Sequence, residues 1–430
     1  MKKLIQKLLQ QYIGDSGYKK HVLILIFGRI VAQAVPILLT PLFTRIYSPE
    51  EFGVFSVYFT IVSMIALISN FRYSLAIILP VKEDKAKSLV YIASLFSLGT
   101  SILFYIVLLI WGNQILNGIG VPELVDYKIL LSLNILIVAI YESLYYFRIR
   151  RKDYKLISIA IIVQSIVVVS TRILMGFGGR TNDGLLYAYF LGYILSYFIL
   201  LHKSELIKKI RINWKEIKVV LSRYKNFPRF SLIADTFSVL GDKAPNLLLS
   251  KLWGSTYVGY MSMSDKILGS PIWFVTSSVG DVFKQEASER IQKEGNCEKI
   301  FYKTSKTLFL YGIIPFVLIF LLVPSITPFL LGAEWSEVGQ YIRIFSIMFF
   351  AKFVVTPVAY IMYIVEKQKL NIFFQAGKFF VILIAFGIGY FFGDFRLTLY
   401  IWSLLMTLYY IVLYFVSLKL SKGTKLKVLD

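Results

Sequence analysis

Eleven charged residues fall inside stretches of this sequence that are otherwise apolar enough to cross a bilayer. A charged side chain at the centre of a bilayer costs about 3 kcal/mol on insertion scales, so each such residue normally faces protein or water. Seven of the eleven are cations and four are acids, and internal pairing would therefore leave a surplus of positive charge. The residues are Arg29, Arg72, Glu142, Arg172, Asp235, Asp242, Lys243, Asp265, Lys266, Lys352 and Lys378.

The spacing of five of these cations predicts a common anion site. Arg29 and Arg72 each lie about 8 residues, or roughly 12 Å of helix, from the cytoplasmic end of their segments. Lys378 lies at a similar depth, whereas Lys243 and Lys352 lie deeper. Arginine presents a planar fork of donors to phosphate oxygens and lysine adds a point charge, so a ring of these cations favours a diphosphate ligand.

The acids leave two other interpretations open. Arg29 or Arg72 could pair with Glu142 or Asp235 merely to hold helices together. A carboxyl group in the membrane could instead carry protons for ion coupling, although neutralisation of a nearby lysine explains such an acid equally well. The candidates for ion coupling are Asp242, which comes first because it lies in mid-helix just before Pro245, then Asp265 and Glu142.

Composition indicates an integral membrane protein. Of the 430 residues, 57% are hydrophobic, more than a water-soluble surface accommodates. Twelve runs have the length of about 20 apolar residues that spans a hydrocarbon core. They lie near residues 21–46, 52–80, 88–111, 127–148, 156–177, 184–202, 229–253, 258–281, 306–331, 341–365, 370–393 and 397–418.

The loops between these runs alternate in charge. Those on one side contain only Arg180 and Arg396 as basic residues, whereas every segment on the other side carries at least two. By the positive-inside rule, both termini are predicted to be cytoplasmic. The net charge of +22 is thus a topology signal, and no nucleic-acid partner is predicted.

The chain divides into two similar halves in this interpretation. We predict a six-helix lobe over 1–202, a cytoplasmic amphipathic linker over 203–228, and a second six-helix lobe with a basic tail over 229–430. A shift of 206 residues aligns 44–61 with 250–267 and sets Gly53 against Gly259. Two related lobes suit alternating access about a central cavity.

Catalytic and cofactor signals are absent from the sequence. The outer loops are too short to fold into a catalytic domain, so the chain is predicted not to be an enzyme. There is no P-loop, His21 and His202 are far apart, and the single cysteine, Cys297, cannot form an intramolecular disulfide. We predict no cofactor and no metal site.

The stretch "GRIVAQAVPILLTPLFTRIYSPEEFGVFSVY", with its outer "YSPEEFG" turn, resembles the start of Wzx-type polysaccharide repeat-unit flippases. These belong to the polysaccharide-transport branch of the multidrug/oligosaccharidyl-lipid/polysaccharide (MOP) exporter superfamily. The resemblance extends over the chain in length, span count and the basic link after the sixth span. Its opening motif is fairly specific, whereas the rest matches in pattern.

The resemblance implies a MATE-like, V-shaped pair of lobes around a cationic cavity. It implies that an undecaprenyl-diphosphate-linked oligosaccharide crosses from the cytoplasmic to the outer leaflet, for O-antigen (lipopolysaccharide), capsule or a related glycan, driven by an ion gradient. Arg29, within "GRIVAQ", is the position that the resemblance assigns to the cavity. The implied partners are this lipid-linked substrate, the bilayer, and the polysaccharide polymerase with its chain-length machinery.

Three alternatives stay open at this point. A multidrug cation antiporter of the same superfamily would share the fold, but its pocket should be lined by acids and aromatic residues. A peptidoglycan-precursor flippase has the same chemistry but usually carries two further helices. A membrane-embedded glycan polymerase or ligase would be rich in aromatic residues and arginine, and would be expected to carry a large outer catalytic loop.

Overall fold

The apolar runs of the sequence form long helices. A computed structural model describes residues 17–202, 204, 206, 214–365 and 367–423. Throughout these described residues, the chain forms helices and turns and contains no strand, which confirms the predicted all-α fold. Each of the twelve predicted segments overlaps a helix. The chain divides into two compact units, which interleave along the sequence.

Unit 1 contains the described residues up to Ile46, together with Ile61–Leu116 and Pro122–Ile233. In it, α6 and α7 both pack against α8, and α7 also packs against α1. Its helices are α1 (Gly17–Leu38), α2 (Thr40–Ile46), the second part of α3 (Pro49–Ser69), α4 (Tyr73–Ala76), α5 (Glu83–Ile119), α6 (Lys128–Arg150), α7 (Tyr154–Phe177), α8 (Thr181–Leu201) and α9 (Trp214–Arg223).

Unit 2 contains Tyr47–Thr60, Asn117–Val121 and the described residues from position 235 onward. In it, α13 packs against α11, α12 and α16, and α16 also packs against α15. Its helices are α10 (Leu232–Trp253), α11 (Ser255–Glu294), α12 (Glu298–Leu331), α13 (Ser336–Val358), α14 (Ile361–Ile364), α15 (Gln368–Phe392), α16 (Phe395–Ser421) and the first part of α3.

Length and apolarity qualify most of these helices as membrane spans. Within the described ranges, nine helices meet both criteria, and α1 with α2, bent by 43°, makes a tenth span if the pair counts as one. The other two predicted segments correspond to α10 and α11. Their helices contain Asp242, Lys243, Asp265 and Lys266, so polar residues replace part of the apolar surface that a lipid-facing helix needs.

The described part of the predicted linker packs onto unit 1. Val220 of α9 and Tyr224, which follows it, are buried in a core cluster formed with residues such as Leu89, Phe147 and Leu200. Val219 on the opposite face is exposed. Residues 203, 205 and 207–213 of the predicted linker lie outside the described residues. The predicted lobe and linker boundaries remain predictions.

The "SPEE" segment starts α3 through a reciprocal capping box. The Glu51 amide donates to the Ser48 hydroxyl at 3.2 Å, and the Ser48 amide donates to the Glu51 carboxylate at 2.8 Å. This pairing satisfies two backbone donors that a helix N-terminus otherwise leaves open. The motif that carried the family resemblance is therefore a helix start signal, and Gly53 follows it within the first turn and a half.

Gly53 on α3 and Gly259 on α11 are the residues aligned by the 206-residue shift. They lie where these two helices cross closely within unit 2. A Cβ atom on Gly53 would lie 1.7 Å from the Ser255 carbonyl oxygen, and one on Gly259 would lie 1.8 Å from the Pro49 carbonyl oxygen. Pro49 and Ser255 are themselves related by the same shift. Equivalent glycines thus make reciprocal backbone contacts, which supports the internal duplication.

The single cysteine lies in a closed environment. Cys297 is buried, and its backbone amide donates to the Ser421 carbonyl oxygen at 2.8 Å, which joins the start of α12 to the end of α16. Burial raises the pKa of the Cys297 thiol to about 11, so little reactive thiolate is present at neutral pH. Cys297 should therefore react little with thiol reagents, and cysteines introduced elsewhere can be labelled selectively.

We expect Gly259→Ala to destabilise the chain by about 1–3 kcal/mol, because the new methyl group forces α11 away from the Pro49 carbonyl. Thermal unfolding of the purified protein in detergent measures this loss. Gly99→Ala is the matched control, since Gly99 lies within α5 and a Cβ there meets nothing within 4 Å. Equal unfolding temperatures for the two variants would refute the close crossing.

Candidate functional site

Arg72 lies in an irregular stretch between two helices. α3 ends at Ser69 and α4 begins at Tyr73, and between them Phe71 and Arg72 adopt left-handed backbone conformations with φ of 50° and 60°. Each such non-glycine residue costs about 1–3 kcal/mol and persists only where surrounding contacts hold it. Irregular backbone at membrane depth is tolerated only when protein covers it or when it lines a water-filled cavity.

Side chains from α6 and from the break hold Arg72 in place. Its guanidinium Nη1 lies 3.2 Å from Glu142 Oε1, while buried Asn70 donates to Glu142 Oε2 at 2.9 Å. The side-chain oxygen of Asn70, Oδ1, in turn accepts a hydrogen bond from the Arg72 backbone amide at 2.9 Å. The side chains of Arg72 and Glu142 are 12% and 25% exposed. The pairing of Arg72 with Glu142 that the sequence left open is thus present.

Arg29 contacts the same face of α6 one turn further along. It lies on α1, is exposed, and donates from Nη2 to the Tyr145 hydroxyl at 2.5 Å. Tyr145 and Glu142 are three residues apart, a spacing that puts their side chains about 5–6 Å from each other on one helix face. The two guanidiniums therefore contact neighbouring side chains on one face of α6, and their common depth in the membrane stays a prediction.

The contacts of Arg29 differ from those of Arg72 in one respect. Among the described residues, Arg29 forms no ion pair with an acidic side chain; its polar contact is the neutral tyrosine hydroxyl. An exposed guanidinium within a bilayer segment must face protein or water rather than lipid. Arg29 is accordingly available to an anion in a way that the paired Arg72 is not.

The lysines predicted for the site gather around one carboxylate in unit 2. Lys378 of α15 forms an ion pair with Asp242 of α10, and their side chains are 15% and 55% exposed. The Asp242 carboxylate also interacts electrostatically with Lys352 of α13 and with neighbouring Lys243. Lys378 lies within electrostatic range of Asp265, which is exposed on α11.

Aromatic rings cover the two remaining lysines of this group. The Lys243 ammonium lies 4.7 Å from the centroid of the Phe59 ring, and that of Lys352 lies 5.4 Å from the Phe349 ring. An ammonium over a ring face is attracted by the ring quadrupole without losing its charge. Three lysines and two carboxylates therefore leave this cluster with one positive charge in excess.

The structure thus sorts the predicted residues into two clusters. Arg29, Arg72 and Glu142 meet at α6 in unit 1, and the lysines meet Asp242 in unit 2. That all five cations form one ring stays a prediction, as do the ligand and coupling roles. No group of three metal-ligating side chains occurs in the part of the chain that the structure describes.

Asn70 and Tyr145 are two members that sequence reasoning missed. The polar "SN" before Phe71 interrupts an otherwise apolar run and is the signal that could have identified Asn70. The three-residue spacing from Glu142 could have identified Tyr145.

Comparisons with known structures show the fold. A multidrug resistance MATE family transporter of the MOP superfamily, in an inward-facing conformation, has 14% identity and a TM-score of 0.70, over 90% of this chain and 93% of that one. The lipid II flippase MurJ, in an inward closed conformation, has 16% identity and a TM-score of 0.71, over 92% of this chain and 87% of that one. A MOP superfamily transporter from Pyrococcus furiosus has 12% identity and a TM-score of 0.55, over 93% and 95%.

The sequence itself is similar to one family. No curated protein sequence matches the chain. The profile of the polysaccharide biosynthesis protein family matches residues 42–340. The match begins just before the capping box of α3 and ends within α13. Since this match covers well over half of the sequence and the helices have the arrangement seen in MOP superfamily transporters, the chain is a multi-pass membrane protein that belongs to the polysaccharide biosynthesis protein family.

Proposed function

We propose that this protein is a Wzx-type flippase. It moves undecaprenyl-diphosphate-linked oligosaccharide repeat units from the cytoplasmic to the outer leaflet of a bacterial inner membrane, by alternating access. The family supplies the biosynthetic context, namely polysaccharide production. The solved flippase with the same fold acts on lipid II, by its name, so the fold is compatible with a lipid-linked substrate.

The observation that carries the proposal is Arg29, an exposed arginine within a membrane segment whose polar partner is a neutral hydroxyl. A diphosphate supplies the anionic oxygens that this guanidinium lacks, and a charge-assisted pair with phosphate is stronger than a bond between neutral groups. Arg72 contacts Glu142, which lies one turn from Tyr145 on α6, and adds a second guanidinium to this cluster.

The charge balance disfavours extrusion of organic cations. Unit 1 sets Arg29 and Arg72 against Glu142, and the unit 2 cluster sets three lysines against Asp242 and Asp265. Each cluster therefore has one positive charge more than its carboxylates neutralise. A pocket selecting organic cations needs the opposite balance, whereas a diphosphate is attracted by this one.

We expect Arg29→Ala to reduce surface glycan at least about tenfold, because it removes a charge-assisted contact to the diphosphate. The assay is complementation of the cognate host lacking its own flippase but retaining polymerase and ligase. Arg290→Ala is the matched control, since Arg290 is an exposed arginine that pairs at 3.3 Å with Glu294 of its own helix. Such surface pairs contribute under about 1 kcal/mol.

Two outcomes of this assay would contradict different parts of the proposal. Undiminished display with Arg29→Ala at normal protein level would remove the role assigned to Arg29. Failure of the unaltered chain to restore display in the cognate host would remove the flippase proposal and favour a cation antiporter or a membrane-embedded glycan enzyme.

Exchanging the charges of Arg72 and Glu142 separates a structural role from ligand binding. Arg72→Ala alone should destabilise the protein by about 2 kcal/mol, because it leaves a partly buried carboxylate without its cation. The double variant Arg72→Glu/Glu142→Arg should regain stability but not transport, because the guanidinium then projects from α6 rather than from the break. Thermal unfolding and surface display are measured on the same preparations, and recovery of both would show that the pair is structural only.

For ion coupling we propose Asp242, whose side chain is half exposed. Its carboxylate forms an ion pair with Lys378 and interacts electrostatically with Lys352 and Lys243. Its protonation would release Lys378 and increase the positive charge of the cluster. In proteoliposomes, an imposed proton gradient should accelerate translocation by the unaltered chain, and Asp242→Asn should lose this acceleration. Asp281→Asn, which alters an exposed carboxylate paired within α11, is the control. An unchanged gradient response of Asp242→Asn would exclude this assignment.

A further inference from the structure

Tyrosines from two packed helices form a cluster of aromatic rings beside Arg29, in which Tyr189 is buried and Tyr141, Tyr145 and Tyr193 are partly buried. Tyr141 and Tyr145 lie four residues apart on α6, and Tyr189 and Tyr193 lie four apart on α8, so each pair occupies one helix face. The Tyr141 and Tyr193 rings meet edge to face at 5.2 Å, and the Tyr189 and Tyr193 rings lie 4.9 Å apart. We call these four residues the tyrosine platform.

The platform carries polar groups at its margin. The Tyr145 hydroxyl accepts the Arg29 guanidinium, and Glu142 lies between Tyr141 and Tyr145 in sequence. The Tyr193 hydroxyl lies next to the polar side chains of Tyr189 and Gln164. A hydroxyl at membrane depth needs such partners, and helix packing alone would be served as well by phenylalanine. The choice of tyrosine therefore indicates a surface that offers both ring faces and hydroxyls.

The exposure of α6 shows which side of the helix is open. Leu144 and Phe147 are buried in the core of unit 1, whereas Tyr141 and Tyr145 are only partly buried and Arg29 is exposed. The open side of α6 therefore combines partly accessible aromatic rings with a cation that has no acidic partner among the described residues.

We propose that the tyrosine platform is the subsite for the sugar residue attached directly to the diphosphate, an inference that rests on the proposed function. A pyranose ring has an apolar face of C–H groups and a margin of hydroxyls, which match an aromatic ring bordered by hydrogen-bonding groups. In a sugar diphosphate, only the anomeric oxygen separates the ring from the first phosphorus. A diphosphate on Arg29 therefore brings its sugar to Tyr145, which Arg29 contacts.

Tyr145 contributes two groups that can be tested separately. Its hydroxyl accepts a hydrogen bond from the guanidinium of Arg29 at 2.5 Å, and its ring belongs to the tyrosine platform. Tyr145→Phe keeps the ring and removes the hydroxyl, whereas Tyr145→Leu removes both. The two variants therefore separate orientation of Arg29 from contact with the sugar.

The test compares two probes on the purified full chain in nanodiscs: undecaprenyl diphosphate alone, and undecaprenyl diphosphate carrying the first sugar of the host's repeat unit. The unaltered chain should bind the sugar-bearing lipid more tightly. Tyr145→Leu and Tyr145→Phe both lose the hydroxyl that holds Arg29 and should affect the bare lipid to the same extent, whereas Tyr145→Leu should bind the sugar-bearing lipid about three- to tenfold more weakly than Tyr145→Phe does. Tyr145→Phe should retain the preference, and Arg29→Gln should weaken both lipids together.

The matched control is Tyr187→Leu, which removes a tyrosine from α8 whose ring contact is with Tyr127 rather than with the platform. It should bind both lipids as the unaltered chain does. If the unaltered chain binds both lipids equally, or if Tyr145→Leu keeps the preference, the sugar subsite is overturned while the flippase proposal stands. If the unaltered chain binds neither lipid, both proposals fail.

A second measurement tests the subsite independently, in case Tyr145→Leu binds poorly only because it misfolds. Tyr145→Cys introduces a thiol into a chain whose one native cysteine, Cys297, is buried. A membrane-impermeant thiosulfonate should modify position 145, and, with both lipids at concentrations that saturate the variant, undecaprenyl diphosphate carrying the sugar should protect it more than the bare lipid does, because the sugar itself covers the position. A thiol at 145 that stays unmodified until the protein is denatured would show that the platform is closed to water, and would overturn the subsite.

Discussion

The energetic cost of a guanidinium in a bilayer organises unit 1. Arg72 can occupy its position because Glu142 and Asn70 surround it, and these contacts also hold two left-handed residues that would otherwise be unfavourable. α6 provides the Glu142 carboxylate and, one turn later, the Tyr145 hydroxyl that receives Arg29. A single helix face therefore contacts both arginines, and the same contacts stabilise the break between α3 and α4.

Much of the fold could be predicted because bilayer thickness and backbone hydrogen bonding leave few choices. Apolar length predicted twelve segments, each of which overlaps a helix in the described residues, including α10 and α11, whose charges lower their apolarity. The 206-residue shift aligned Gly53 with Gly259 from sequence alone. What it could not show is that these glycines face each other, because a repeat relates positions in the chain and does not determine which helix surfaces meet.

The partners of the site residues could not be predicted from the sequence. Helical rise depends only on residue count and predicts a common depth for Arg29 and Arg72, which stays a prediction. Which acid meets which base depends on helix rotation and on side-chain reach. The sequence left Arg72 with either Glu142 or Asp235, and it gave no reason to place Tyr145 under Arg29. The left-handed conformation of Arg72, a residue with an ordinary side chain, has no composition signal at all.

The two clusters differ in chemistry. Unit 1 uses arginines, whose planar forks are held in fixed directions by a carboxylate and a hydroxyl, an arrangement suited to recognising phosphate geometry. Unit 2 uses lysines, which are point charges on flexible stems around a half-exposed Asp242. A group of this second kind can exchange partners with little rearrangement, because an ammonium imposes no planar geometry. We therefore propose that recognition of the diphosphate belongs with the arginines, and that a change of charge state belongs with the lysines and their shared carboxylate.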